Sequence, residues 1–304
     1  MMFEIRPASG FEELERWVAT RNEVAPDDPE DVTQMALVRA GELEHVNLLA
    51  LDDGEVVGTA MLAGDPGSLE ADHPYAEIMV PERHRGRGIG SALLAEVSQR
   101  VRRRGKHGLH VDAREHDAYS IAFLERRGFV QQRPQADHVV LELESIEPPA
   151  PRPPAGVLLH WLADRPDLLA SAFEVAAETY PELGGPIAKQ AETLEQWQLY
   201  ELVDPRVALE LTPIAVAGDQ AIGFGAFRRN DEGKVGLHRI TVVSPARRRQ
   251  GVGAALTRTQ IVAAKEAGFV RLEAWPWTEL QKRLFASLGY RKIGGSIDFF
   301  GPLQ

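Results

Sequence analysis

The chain of 304 residues has no cysteine. Disulfides, thiolate nucleophiles and cysteine-ligated zinc are excluded by composition. No metal requirement is expected, and the absence of cysteine is compatible with a reducing cytoplasm, the expected location. Long apolar runs are also missing. None approaches the roughly 20 residues of a membrane helix, and residues 1–10 lack the apolar centre of a secretory leader. No membrane association is expected. Basic charge is the scarcer sign, with 34 Lys and Arg against 45 Asp and Glu, a formal net charge of −11. A surface of that sign repels polyanions, so nucleic acid is not an expected partner, while amines and other small cations suit it weakly.

The hydrophobic share of 44% supports ordinary cores, and 304 residues exceed one typical domain, so two domains are the first expectation. The organising stretch is Arg85-Gly86-Arg87-Gly88-Ile89-Gly90-Ser91, which follows the apolar run Ile78-Met79-Val80 and opens a helical pattern from Ser91 onward. Glycines at a strand-to-helix turn let the backbone approach a ligand. The unpaired N–H groups of the helix start face that ligand, and the helix dipole favours negative charge there. Arginines at the turn add donors suited to phosphate oxygens. The direct physical reading is a pyrophosphate cradle. The pattern returns at Arg248-Arg249-Gln250-Gly251-Val252-Gly253-Ala254, after Val242-Val243.

Periodicity predicts a strand at 3–6, helices at 10–21 and 31–42, and a hairpin of 46–51 with 56–62 about Asp52-Asp53-Gly54-Glu55. Helix 10–21 shows Phe11, Leu14 and Val18 on one face. A strand at 75–80 leads into the first loop. A helix stopped at Gly105, a strand at 109–113, a helix stopped at Gly128 and strands from Phe129 and at 139–143 complete the first half. The proline-dense residues 147–154 forbid regular structure and read as a linker. The second half repeats the order: a hairpin about Gly218-Asp219, strand 235–243, a helix stopped at Gly268, strand 270–275, a helix stopped at Gly289, and strands from Tyr290 and at 297–300. Residues 182–203 read as partly helical, with Trp197 and Leu199 inside. Two landmarks shifted by nearly the same amount mark an internal duplication.

Neither loop carries the Gly-Lys-Ser/Thr of a triphosphate-binding loop, and Leu93 and Leu256 stand where a dinucleotide fingerprint needs its third glycine. The remaining pattern, Arg/Gln-x-x-Gly-x-Gly/Ala, matches at Arg85, Gly88 and Gly90, and at Arg248, Gly251 and Gly253. With the helices ending in Gly128-Phe129 and Gly289-Tyr290, the chain resembles the GCN5-related N-acetyltransferase (GNAT) family, specifically its tandem two-domain members. The resemblance implies an α/β (α+β) chain of two tandem GNAT domains, residues 1–145 and 157–304, with the linker at 146–156. Each would hold a mixed, mostly antiparallel central sheet flanked by helices, its central strands splayed at an acyl-CoA cleft.

The family transfers an acetyl group from acetyl-CoA to an amine, here of a small molecule or an amino terminus. The resemblance assigns cofactor contact to Val80, Arg85, Gly86, Arg87, Gly88, Gly90 and Ser91, and to Val243, Arg248, Arg249, Gln250, Gly251, Gly253 and Ala254. Glu77, on the strand entering the first loop, is the candidate base; His238 and Glu273 occupy comparable strands of the second half, with His110, Asp112 and Thr241 as lesser candidates. The residue four places before each Gly-aromatic pair, often a tyrosine acid in the family, is Leu124 and Phe285. That departure keeps open an acyl-CoA-binding protein with one or both domains silent. Tyr119 and Ser120 are neighbouring hydroxyls. GNAT domains dimerise in several ways, so a homodimer is compatible with the chain.

Overall fold

The computed structural model describes residues 3–41, 44–63, 72–183, 192–229 and 234–304. Its contacts divide the chain into two compact units, Met1–Arg133 with Ile297–Gln304, and Pro134–Ser296.

The first unit runs β1 (Glu4–Pro7), α1 (Gly10–Val24), α2 (Val32–Gly41), β2 (Val46–Asp52), β3 (Glu55–Leu62), β4 (Ala76–Met79), α3 (Ile89–Arg103), β5 (Gly108–Arg114) and α4 (Ala118–Glu125). Strands β1 to β4 pair in sequence order, each antiparallel to the next. The β2–β3 turn places Asp53 and Gly54 at φ 49° and 82°, the left-handed pair that a tight hairpin turn needs. Strand β2 is apolar on both faces because both are covered. Leu48 and Ala50 join the core under α3, with Leu93, Leu94 and Val97, while Leu49 and Leu51 join Leu14, Trp17 and Val18 of α1. Trp17 takes the place expected of Phe11, which is half exposed.

The second unit contains β7 (Leu158–Trp161), α5 (Leu169–Leu183), α6 (Leu194–Glu201), β8 (Pro213–Ala217), β9 (Gln220–Arg229), β10 (Val235–Val243), α7 (Val252–Glu266), β11 (Arg271–Ala274) and α8 (Glu279–Ser287). Strands β7 to β10 are again antiparallel neighbours, and β11 lies parallel to β10. Trp197 is fully buried, whereas Leu199 is only half-buried; residues 184–191 of the expected 182–203 segment lie outside the described residues.

Two strands depart from the sequence reading. β6 (Val130–Glu142) was expected to close the first domain at 139–143, but its residues Val139 to Glu142 pair antiparallel with β11, and Val139 and Leu141 pack with Leu272 and Phe285. Conversely, the end of β12 (Arg291–Pro302) belongs to the first unit, where Phe299 packs with Leu109 and Phe129. The contact boundary therefore falls at 133/134 rather than in the proline-rich stretch, which carries no helix or strand. Alternation fixes which face a strand buries but not which neighbour it pairs with.

Candidate functional site

Both Arg/Gly loops adopt one local geometry. Each strand end, Val80 or Val243, is followed by a short 3-10 turn, at Glu82–His84 and at Pro245–Arg247. Next comes a left-handed N-cap glycine, Gly88 at φ 86° or Gly251 at φ 92°. Neither cap has a side-chain bond, and the first helical bonds are Ala92 N–H to Gly88 O and Ala255 N–H to Gly251 O. The N–H groups of Ile89, Gly90 and Ser91, and of Val252, Gly253 and Ala254, lie ahead of those bonds at the positive end of a dipole. Gly90 brings α3 against Val80 and Phe123, where an added Cβ would stand 3.8 and 3.4 Å from their side chains. Gly253 does the same against Val243 and Leu284, at 3.6 and 3.8 Å.

The arginines hold the loops in shape. Arg85 Nε donates to Val80 O at 3.3 Å, and Arg248 Nε to Val243 O at 3.0 Å. Arg85 also pairs with Asp117 at 3.1 Å and lies over the Tyr119 ring, whose hydroxyl accepts from Gly86 N–H at 3.1 Å. Arg87 bonds Asp52, and Arg248 pairs with Glu182. Gln250 Nε2 donates to Ala246 O, and Ser91 Oγ accepts from Arg127. With Arg85, Arg87 and Arg248 so engaged, the donors left for an anion are the main-chain groups and, in the second loop, the exposed Arg249 side chain. Arg249 keeps a left-handed backbone, φ 60°, three residues before Val252, where the first loop has Gly86 at φ 77°. Ser120 Oγ donates to Asp117 as part of the α4 cap, and Leu124 and Phe285 are buried among apolar neighbours.

In the first unit β4 and β5 meet at the parallel bridge Tyr75↔His110. Beyond it lies a charged network. Glu77 receives both Arg21 Nη2 at 3.1 Å and Arg21 Nε at 3.3 Å. Burial pushes its carboxyl above the usual range, opposed by Arg21. Tyr75 donates to Asp112 at 2.5 Å, and Arg114 pairs with Asp27. His110 is occupied elsewhere: its Nε2 meets Asp298 at 2.8 Å, both residues fully buried.

In the second unit β10 and β11 stay in register only from Val235↔Arg271 to His238↔Ala274, and β10 bulges between His238 and Ile240. The cleft past that point is lined by His238, Arg239, Ile240, Thr241, Trp275, Trp277 and Phe285, among others. Gln260 donates its amide to Gly225 O and Leu211 O, so its Oε1 accepts from His238 Nδ1 at 2.8 Å. His238 Nε2 then accepts the Tyr290 hydroxyl at 2.5 Å. Both ring nitrogens are engaged in the neutral tautomer, and burial lowers the pKa to about 4. Glu273 does not line this cleft; it pairs with His138 at 2.9 Å. The sequence reading missed Arg21, Tyr75, Gln260 and Tyr290. Arg21 carried a signal, a charge at the i+7 position of the Leu14, Trp17, Val18 stripe.

Among the described residues no group of three His, Asp or Glu side chains forms a metal site. Parted central strands set beside an uncapped, glycine-started helix, built twice, define a tandem acyltransferase fold. A model of the acetyltransferase (GNAT) family matches residues 11–129 and 169–290, and the chain belongs to that family. Mycothiol acetyltransferase of Streptomyces coelicolor is 32% identical over 219 residues, 69% of this chain and 64% of that protein, so the match spans slightly under two thirds of the relative. A tandem GNAT protein from the clavulanic acid biosynthesis pathway, 18% identical, superposes with a TM-score of 0.75 over 100% of this chain and 99% of its own. A GCN5-related N-acetyltransferase from Sphaerobacter thermophilus, also 18% identical, gives 0.70 over 99% and 96%. The fold is thus a tandem pair of α/β GNAT domains.

Proposed function

We propose that the chain transfers an acetyl group from acetyl-CoA to the amine of a small molecule, with an amino-terminal peptide as the second acceptor class. The observation that carries this reading is the repeated cradle: free helix-start N–H groups beside a strand end whose neighbour has parted from it. Pyrophosphate fits the N–H groups of Ile89 to Ser91 and of Val252 to Ala254, and the pantetheine arm then runs along Val80 or Val243. The Streptomyces relative is named for mycothiol, which favours a small-molecule acceptor over a protein one. The family relationship supports a protein that works without a metal, and among the described residues no helix is long and apolar enough to cross a membrane.

The neutral amine attacks the thioester carbonyl carbon, the N–C bond forms, and collapse of the oxyanion breaks the C–S bond. The amine proton passes through water to Glu77, whose proton affinity is raised by burial, a change in the direction that favours a general base. Arg21 keeps that carboxylate oriented. The CoA thiolate takes its proton from solvent, because Leu124 and Phe285 have none to give. Glu273, held by His138, and His238, bonded at both nitrogens, are poorly suited to the role of base. Thiol release from acetyl-CoA across a panel of amines tests the reading. Amine-dependent release is expected, and its absence with every amine opposes the proposal.

A further inference from the structure

Among the described residues, the cleft of the second unit is lined by hydrogen-bond donors and by no Asp or Glu. The position that carries Glu77 in the first unit, eight residues before the loop arginine, is Ile240 here. His238 has neither ring nitrogen left over, since Nδ1–H serves Gln260 and Nε2 takes the Tyr290 proton. Three other side chains of the lining have hydrogens to give. Thr241 Oγ1 is buried and has no hydrogen-bond partner. Gln281 uses its Oε1 at the start of α8, where it accepts from Trp277 N–H and Thr278 N–H, so its Nε2 group is left to donate. Arg239 brings a full positive charge to the same wall.

Behind that wall the charges lean the same way. Arg239 stands 3.8 Å from Glu201 Oε1, beyond hydrogen-bond reach, and that oxygen accepts the Tyr180 hydroxyl at 3.0 Å. Asp204 is taken by Arg206 at 2.8 Å and by Arg228 at 3.2 Å. Among the described residues of this network, three guanidinium groups face two carboxylates. Arg228 registers the excess: burial, and then the charge of Arg239, lower its pKa to about 10. A bound anion offsets such repulsion.

We propose that the cleft of the second unit binds a small organic carboxylate, with the carboxylate group on Arg239, Thr241 Oγ1 and Gln281 Nε2 and the apolar body against Trp277 and Phe285. A planar carboxylate matches the guanidinium fork, and its remaining lone pairs accept from the hydroxyl and the amide. The aromatic wall favours an anion that carries an apolar body over a hydrated inorganic one. The carboxylate belongs either to a free acid or to an amine that also bears an acid group. No bond of the ligand is made or broken. The site adds a ligand to the acetyl-transfer reading and does not depend on it.

The test uses the full chain without acetyl-CoA and three probes: phenylacetate, its methyl ester and phenylalanine. Phenylacetate should change tryptophan fluorescence saturably, and Trp277→Phe should remove most of the change. The ester, which keeps the ring and loses the charge, should bind about 20-fold or more weaker. Arg239→Gln should weaken phenylacetate by a similar factor, and Thr241→Val by about tenfold. The Thr241 variant keeps the side-chain shape and removes a hydroxyl with no partner in the fold, so it reads the site even if Arg239→Gln disturbs the packing at Glu201. Phenylalanine bound within tenfold of phenylacetate would assign the site to an amine that bears an acid group; weaker binding would assign it to a free acid, and either supports the proposal. It is overturned by the absence of a saturable signal with phenylacetate, acetate and 4-methylpentanoate alike, or by an ester that binds as tightly as the acid. Wild-type affinity in both Arg239→Gln and Thr241→Val would also overturn it, as would inorganic phosphate displacing phenylacetate at equal concentration. Each readout is binding alone, so the outcome is the same whether or not the chain releases thiol with any amine.

Discussion

The two units hold their loops alike and line their clefts with different side chains. In both, an arginine Nε clasps the strand-end carbonyl five residues earlier, Arg85 on Val80 and Arg248 on Val243, and a left-handed glycine starts the helix. A few residues back along the strand the resemblance ends. The first unit sets Glu77, Arg21, Tyr75 and Asp112 beside the parted strands, whereas the second sets a neutral histidine, aromatic rings, Thr241 and Arg239, the last paired with Glu201 at 3.8 Å. Main-chain geometry can be copied by keeping a few glycines. A proton route needs particular side chains and is lost by one substitution.

The largest expected separation of the units comes from Glu77→Gln. Loss of a positioned base costs about 10²- to 10⁴-fold in rate, so kcat/KM for the amine should fall by that factor. Because burial raises the Glu77 carboxyl, the wild-type rate should climb with pH through a midpoint above the ordinary 4.5, and the variant should lose that limb. A pH–rate profile reads both. An unchanged limb in the variant would place the base elsewhere.

Next is the pH dependence of stability, where the units act in opposite senses. His238 has a folded pKa of about 4 against an ordinary 6.5. Below 6.5 the unfolded chain binds the extra proton, so stability present above pH 6.5 is lost as pH falls towards 4, roughly 3 kcal/mol in all. Glu77, with a raised folded pKa, contributes stability below 4.5 that is lost as pH rises through its folded value. Replacing His238 with Gln should flatten the acid side of the stability curve measured by urea unfolding between pH 7 and 4.5. A curve as steep as wild type would mean that His238 does not carry this dependence.

What the sequence made visible was whatever chemistry is local. The Asp53-Gly54 turn, the glycine stops at Gly105 and Gly128 and the two cradles depend on residues a few places apart. The Glu77–Arg21 pair spans 56 positions, and only the fold brings it together. His238 was legible as a candidate but not its fate, because Gln260 and Tyr290 lie 22 and 52 residues away. Strand ownership was hidden for a related reason: residues 139–142, Val-Val-Leu-Glu, fit beside either possible neighbour, and the pairing with β11 is decided by the core that Leu141 and Leu272 share.

A finer comparison uses the close approach of sheet and helix start. Gly58 and Gly223 occupy matching β3 and β9 positions, but an added Cβ meets its neighbours at different distances. At Gly58 the strand carbonyl, Met79 O, stands at 3.2 Å, with the buried Ile89 Cγ2 at 2.9 Å; at Gly223 the matching carbonyl, Val242 O, stands at 2.7 Å. A contact of 3.2 Å is relieved by a shift of a few tenths of an ångström, while a carbonyl at 2.7 Å must move with its whole ladder. Gly223→Ala should therefore cost about 1–3 kcal/mol and Gly58→Ala less. Chemical denaturation checks the order, and equal losses would contradict it.

The smallest separation concerns the caps of the matching helices α4 and α8. Thr278 caps α8 in a reciprocal box with Gln281, whereas Asp117 caps α4 through Ser120 and also holds Arg85 of the cradle. Each alanine variant should lose about 1 kcal/mol from the cap alone. Burial works against the Asp117 charge, but Ser120 and Arg85 hold its carboxyl below the ordinary range. Removing it therefore leaves Arg85 without its carboxylate beside the anion site. Asp117→Ala should consequently weaken acetyl-CoA binding to the first unit severalfold beyond its effect on unfolding, while Thr278→Ala should change unfolding alone. If both variants shift unfolding equally and leave binding untouched, Arg85 is held well enough by Val80 O, and the two units are more alike at their cradles than the Asp117 pairing suggests.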